Sequence, residues 1–319
     1  NNKSENKICW SLLSKVSRSF DLAIHALPES LGLEVCVSYL LFRIVDTIED
    51  APKLPDRARY FREFIQALAD EDTAGFDFVT VANSAENENE RALVMNTAEI
   101  LHAFSQFRPA TKEAIRKYTF EMADGMEAFC SRKDSGARLI GSDEELDLYC
   151  YAVAGTVGLL LTELFADYSN LDKNWIESQS KAAIAFGLCL QKVNILRDMN
   201  TDQDKGVSYF SNGLSETAAR RMAASALENL KVAEDFILNI PSDQAGIRTF
   251  CVWPYLTALL CLDKVLTATP LISPGKVVKI EKEVMFEVME KSSQLIESNH
   301  AIGDMMRKYT MRCVEHYIN

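Results

Sequence analysis

The sequence predicts an all-α protein in which one helical domain takes up the whole chain, residues 1–319. Three observations lead there. Long stretches carry apolar residues at the helical spacing of three and four. Alternating β-branched runs bounded by tight hairpin turns are nearly absent, with "FDFVTV" (76–81) the one short candidate. No Gly/Ser- or Pro-rich linker and no repeat of fixed period divides the chain.

The elements follow in order. Pro28 suits the first turn of a helix that runs to Asp50. "LPDRARYFREFIQAL" reads as a second, amphipathic helix. The polar stretch 70–90 reads as one long loop, and helical spacing resumes at Arg91 in "RALVMNTAEILHAF". "TKEAIRKYTFEMADGMEAFC" is the next helix. Ser142 with Glu145 forms a capping box that opens "LDLYCYAVAGTVGLLLTELF". "NWIESQSKAAIAFGLCLQKVNILRDMNTD" makes one long helix. Ser215 caps "ETAARRMAASALENLKVAEDFIL", which Pro241 stops. "TFCVWPYLTALLCLDKVL" is nearly all apolar, and Ser273 followed by Pro274 is expected to open the last long helix.

Composition narrows the function. With 48% hydrophobic and 25% charged residues, the chain has the makings of a sizeable core. A net charge of −12 argues against nucleic acid as a partner, because such proteins leave a basic footprint. An anionic substrate would need local Lys, Arg or a metal against that field. The eight cysteines are scattered without a CxxC pair, which points to a reducing compartment, and the four histidines lack ligand spacing. No run approaches the roughly 20 apolar residues of a membrane span, and no signal-peptide pattern is present, so a soluble protein is expected.

One stretch, "YLLFRIVDTIED" (39–50), carries charges where a buried helix should have none. On a helix, Tyr39, Phe42, Arg43, Asp46 and Asp50 share one face, while Leu40, Leu41, Ile44, Val45 and Ile48 take the others. A helix apolar on most faces is buried, so its polar stripe is expected to face a cavity. Asp46 and Asp50 also sit near the helix C-terminus, where the macrodipole disfavours each acid by roughly 0.3–1 kcal/mol. A bound cation reverses that cost. "FGLCLQKVNILRDMNTD" repeats the pattern, with Gly187, Gln191, Asn194, Asp198 and Asp202 on one face. Carboxylate and amide oxygens are the hard donors that Mg²⁺ takes, and two such helices facing each other would build a metal site inside a bundle. Either DxxxD alone is weak in so acidic a chain, where a solvated face is the plain reading. Two copies, each preceded closely by an arginine (Arg43, Arg197), are far more specific.

The chain resembles the squalene/phytoene synthase family, the head-to-head prenyl synthases. "VSRSFDLAIHAL", "VSYLLFRIVDTIED", "YCYAVAGTVG", "LQKVNILRDMNTD" and "FCVWP" carry the resemblance, in the family's order and over most of the chain. It implies a single-domain, isoprenoid-synthase-type helical bundle around a central cavity. It implies a prenyltransferase that uses Mg²⁺ to join two farnesyl diphosphates into a cyclopropyl (presqualene) diphosphate, followed in squalene synthase by reduction with NADPH. Asp46 and Asp50 then form one metal-binding set, and Asn194, Asp198 and Asp202 the other. Arg18, Arg43 and Arg197, with Ser17 and Ser19, would hold phosphate oxygens. Tyr149 matches the family tyrosine proposed to assist proton removal. Tyr39 and Phe250 would act at the cavity wall that faces the carbocation. Phe20, Val153, Ala154, Gly158, Gln191 and Pro254 complete the implied substrate contacts. For Gly155 and Gly158, close helix packing is the plain alternative to room for a prenyl chain.

"DTIED" and "FCVWP" lie nearer to squalene synthases, whereas "YCYAVAGTVG" and "DKGVSYFS" look like the carotenoid-type bacterial enzymes. A dehydrosqualene, phytoene or presqualene diphosphate synthase is therefore the alternative, and an inactive membrane-associated scaffold the alternative of another class. One position departs from the family: Val207 stands where an arginine is usual, with Lys205 nearby. Lipid substrate and product imply work at a membrane surface, by a cytoplasmic, peripheral monomer.

Overall fold

The structure, a computed structural model, describes residues 2–17, 20–134, 140–202 and 209–318, with the side chains of 2–5, 133, 134 and 202 outside the description. All regular elements among the described residues are helical, as the spacing predicts. The chain divides into two compact units, Asn1–Ala137 with Glu163–Tyr168, and Arg138–Thr162 with Ser169–Asn319.

The first unit holds α1 (Asn2–Val16), α2 (Phe20–His25), α3 (Glu29–Asp50), α4 (Arg57–Asp70), α5 (Phe78–Ser84), α6 (Glu88–Met95), α7 (Thr97–Ser105) and α8 (Pro109–Asp134). Helix α3 is its centre and packs on α1, α2, α4, α6, α7 and α8. Leu31, Leu40, Leu41, Ile44, Val45 and Ile48 are fully buried on it. Burying a side chain of this kind is worth about 1.5–3 kcal/mol, which outweighs the cost of ending the helix in acids. Arg57, itself buried, donates from Nη2 to the Ala51 carbonyl at 2.6 Å and so ties the start of α4 to the end of α3.

The stretch 70–90 is not one loop. Asp77 accepts from Thr80 N at 3.1 Å and starts α5, which takes up the "FDFVTV" strand candidate from Phe78 onward. Asn87 accepts from the Asn89 and Glu90 amides, both at 3.0 Å, and starts α6. Short polar side chains that suggest loops are also the best helix caps, and buried Val81 and Ala82 anchor the first of these turns.

The second unit holds α9 (Asp143–Cys150), a π-helical turn (Tyr151–Gly155), the first half of α10 (Thr156–Ser169), α11 (Lys173–Asp202), α12 (Glu216–Leu238), α13 (Ala245–Leu266), α14 (Lys282–Leu295) and α15 (Asn299–Ile318). Helix α11 packs on α9, the π turn, α12 and α13. The expected caps are in place: Ser142 Oγ accepts from Glu145 N, and Ser215 Oγ from Ala218 N, each at 3.2 Å. The expected start at Ser273–Pro274 is overturned. Gly275 follows in a left-handed turn (φ 73°), and the chain becomes helical only at Lys282, with a second break before Asn299. The expectation that no stretch reaches span length is corrected as well. Asp143–Ser169 and Ala245–Leu266 are long and apolar enough by composition to cross a membrane, and most of each is buried within the protein. All eight cysteines are free and buried.

Candidate active site

In the first unit, the stripe on α3 lies as its spacing predicts. Arg43 Nη1 donates to Asp46 Oδ2 at 2.8 Å. Burial disfavours the guanidinium charge, but Asp46, the Tyr39 phenol, Glu90 and Asp50 together outweigh it, so Arg43 is held firmly protonated. Burial raises the Asp46 pKa, against the opposing pull of Arg43. Asp50 is pushed up to about 7, first by burial and then by the Asp46 charge, with Glu86 and Glu90 adding to it and Arg43 opposing. Its side chain still reaches solvent. The shift therefore records crowding by protein and like charge, and solvent screens part of its weight.

Tyr39 extends the stripe. Its phenol is pushed up by burial and hydrogen-bonded with Ser17, and its ring lies 5.8 Å from that of Phe20. Ser17 in turn accepts from the Phe20 amide at 3.1 Å. Ser17, Phe20, Tyr39, Arg43, Asp46 and Asp50 thus belong to one connected patch. Arg18 and Ser19 lie outside the described residues.

In the second unit, Arg197 grips Asp198 through two bonds, Nε to Oδ1 at 2.9 Å and Nη2 to Oδ2 at 2.6 Å. Gln191, Asn194 and Asp198 are all partly exposed on α11. Asp202 ends the helix with its side chain outside the description, as are Lys205 and Val207. Tyr149 is buried on α9, its ring 5.3 Å from that of Tyr209. Tyr209 in turn borders a cavity of about 250 Å³ that Asp147, Arg221 and Ser225 also line. Val153 and Ala154 belong to the π turn, an element that often marks functional sites. The glycines explain how that turn is seated. A Cβ on Gly158 would stand 2.2 Å from the Ala183 carbonyl oxygen, and one on Gly187 2.2 Å from that of Ala154. The space at both is taken by backbone. Phe250 is buried and Pro254 half-buried inside α13. Pro254 has no N–H to offer the Phe250 carbonyl.

The acid sets suit a hard divalent cation. Asp46 and Asp50 are carboxylates held close against burial and mutual repulsion, which a cation relieves. Among the described residues, no three acidic, His or Cys side chains converge to enclose a metal. Mg²⁺ asks for no such cage: it retains waters and takes phosphate oxygens.

A family model, squalene/phytoene synthase, matches residues 13–282. The chain belongs to the squalene/phytoene synthase family. As a member it is a prenyltransferase. It is 28% identical to the squalene synthase of Candida albicans over 92% of this chain and 69% of that one. It is also 28% identical to that of Schizosaccharomyces pombe, over 95% and 67%. Among solved structures, the complex of TcSQS with the ligand E5700 superposes with a TM-score of 0.83 at 24% identity, covering 99% of this chain and 92% of that one. A dehydrosqualene synthase in complex with a ligand gives 0.64 at 19%, over 93% and 98%. The fold is the all-α isoprenoid synthase fold.

Two features of this family member escape sequence reading. Glu90 on α6 accepts from Arg43 Nη2 at 3.1 Å, a partner 47 positions away that no local spacing reveals. Asn200, between the two aspartates of α11, is buried and accepts from Ser273 N at 2.9 Å through Oδ1. Its carbonyl accepts from Gly275 N at 3.1 Å.

Proposed function

We propose that the chain is a squalene synthase that condenses two farnesyl diphosphates through presqualene diphosphate and reduces the product with NADPH. The observation that carries this reading is the Arg43–Asp46–Asp50 stripe, in a chain similar to the squalene synthases of Candida albicans and Schizosaccharomyces pombe. Mg²⁺ at two separate sets, Asp46 with Asp50 and Asn194 with Asp198 and Asp202, would supply Lewis-acid stabilisation of the leaving diphosphate. Arg43 and Arg197, each already on a carboxylate, are the donors to phosphate oxygens, with Ser17, Arg18 and Ser19 assisting. The Tyr39 and Phe20 rings form a wall whose π faces stabilise positive charge on carbon, and Phe250 serves likewise. Tyr149 assists removal of the proton in the first condensation. Val153, Ala154, Gly158, Gln191 and Pro254 border the prenyl chains. The enzyme works as one catalytic domain, a cytoplasmic monomer at a membrane surface.

Incubation with labelled farnesyl diphosphate and Mg²⁺, with and without NADPH, tests this. Squalene formed only with NADPH is expected. A C30 hydrocarbon with a central conjugated triene, formed regardless of NADPH, overturns the reductive step in favour of a dehydrosqualene-type synthase. Absence of Mg²⁺-dependent diphosphate release points to a scaffold.

A further inference from the structure

Glu90 sits in the first turn of α6, its amide held by Asn87 at 3.0 Å, and its side chain reaches across to α3. The residue is only 9% exposed. One oxygen, Oε1, accepts from Arg43 Nη2 at 3.1 Å, while Oε2 is buried with no partner among the described residues. Arg43 shows the complementary gap. Nη1 is spent on Asp46 and Nη2 on Glu90, while Nε is buried without a partner. A single ion pair thus holds an unused acceptor and an unused donor, both shut off from bulk water. Buried polar groups are almost always paired. Two gaps in one pair beside the acid stripe are what an incoming ligand would close.

The charges suggest the sequence of partners. A cation that takes Asp46 competes with Arg43 for Oδ2 and repels the guanidinium. Without a second anchor, the arginine would leave the site when it is needed there. Glu90, on a different helix, is that anchor. We propose that Glu90 is a positioning residue for the diphosphate: it keeps the Arg43 guanidinium at the acid pair when a cation occupies Asp46. The released Nη1 and the open Nε then face phosphate oxygens, and Glu90 Oε2 accepts from the cation's water shell. Carboxylates standing behind the direct ligands commonly orient them in this way. This inference rests on the diphosphate reading above.

The test is titration calorimetry of the full chain with inorganic pyrophosphate, with and without Mg²⁺, on the wild type and on Glu90→Gln, Glu90→Ala and Glu90→Asp. Thermal midpoints in EDTA and steady-state kinetics accompany it. The Gln and Ala variants are expected to bind pyrophosphate about 10- to 100-fold more weakly in Mg²⁺. They should raise KM for the prenyl diphosphate more than they lower kcat, with the isosteric Gln variant keeping the wild-type melting midpoint, while Glu90→Asp recovers part of the affinity. Wild-type affinity in the Gln and Ala variants overturns the proposal, as does a fall in melting midpoint with affinity unchanged. If Glu90→Ala fails to fold, the isosteric Gln variant carries the test alone. A wild type that does not bind pyrophosphate with Mg²⁺ overturns the diphosphate reading as well, which separates the two failures.

Discussion

The Lys192 ammonium, fully buried on α11, lies 2.5 Å from Asp147 Oδ1 on α9. Ser225 Oγ and Asn229 Oδ1 on α12 accept from it at 2.7 and 2.8 Å. Two hydrogen bonds to α12 and one ion pair to α9 thus surround the ammonium, so its charge is compensated from two other helices. Asp147, by contrast, is half exposed. The pair should therefore break unequally. Asp147→Ala strands a buried ammonium and is expected to cost about 2–4 kcal/mol, the lower part of the range for a broken buried pair because water re-enters beside it. Lys192→Met leaves the carboxylate to solvent and is expected to cost about 1 kcal/mol. Urea unfolding of the two variants checks the order.

Asp50→Asn should stabilise the metal-free protein while removing its activity. The Asp50 carboxyl is raised from 3.8 to about 7, by burial first and then by Asp46. Below pH 4 it is protonated in both folded and unfolded chains and costs nothing. As pH rises toward 7, the unfolded chain ionises while the folded one resists, so stability is lost across that window and the loss is complete above it. In EDTA, the melting advantage of Asp50→Asn over wild type is therefore expected to be near zero at pH 4 and largest at pH 8. Turnover should fall by at least about 100-fold, as for loss of an electrostatic group at the leaving charge. Asp46→Asn and Asp198→Asn should likewise abolish turnover with the helical circular dichroism intact. A variant with near-normal turnover would remove that residue from the metal assignment.

Local patterns account for what the sequence disclosed. The capping serines 142 and 215 and the stripe from Tyr39 to Asp50 are relationships of three or four residues, and the structure keeps them. The Asp77 and Asn87 caps were equally local but were hidden because the same residues favour loops. Glu90 and Lys192 belong to another class. Their partners lie 47 positions away in one case and on two other helices in the other. Only packing brings such groups together, so a single chain shows them as an ordinary acid and an ordinary lysine.

The glycines of the second unit offer a packing test. An added Cβ at Gly158 or Gly187 meets backbone at 2.2 Å, which no rotamer change relieves. Gly158→Ala and Gly187→Ala are each expected to cost about 2–3 kcal/mol or more, as overpacking against a fixed main chain does. Gly75, with nothing within 4 Å of the added carbon, is the control. There the substitution should be neutral or stabilise by up to about 1 kcal/mol, by restricting the unfolded chain. Thermal or urea unfolding of the three variants reads this directly.

Asn200 supports two amides in different ways, and the difference can be measured. Its side-chain Oδ1 holds Ser273 N, whereas its main-chain carbonyl holds Gly275 N. Asn200→Ala deletes the first acceptor and leaves the second. Amide hydrogen exchange at Ser273 should accelerate roughly 5- to 10-fold, the equivalent of about 1 kcal/mol for one hydrogen bond, while exchange at Gly275 changes little. If both amides accelerate together, the segment after α13 is held as a unit and the side chain is its main support. If neither does, packing alone holds it. Because Asn200 stands between Asp198 and Asp202, the same variant tests whether that anchorage matters to the metal: a weaker Mg²⁺ dependence of pyrophosphate binding, with exchange changed only at Ser273, would tie the end of α11 to the loop it grips.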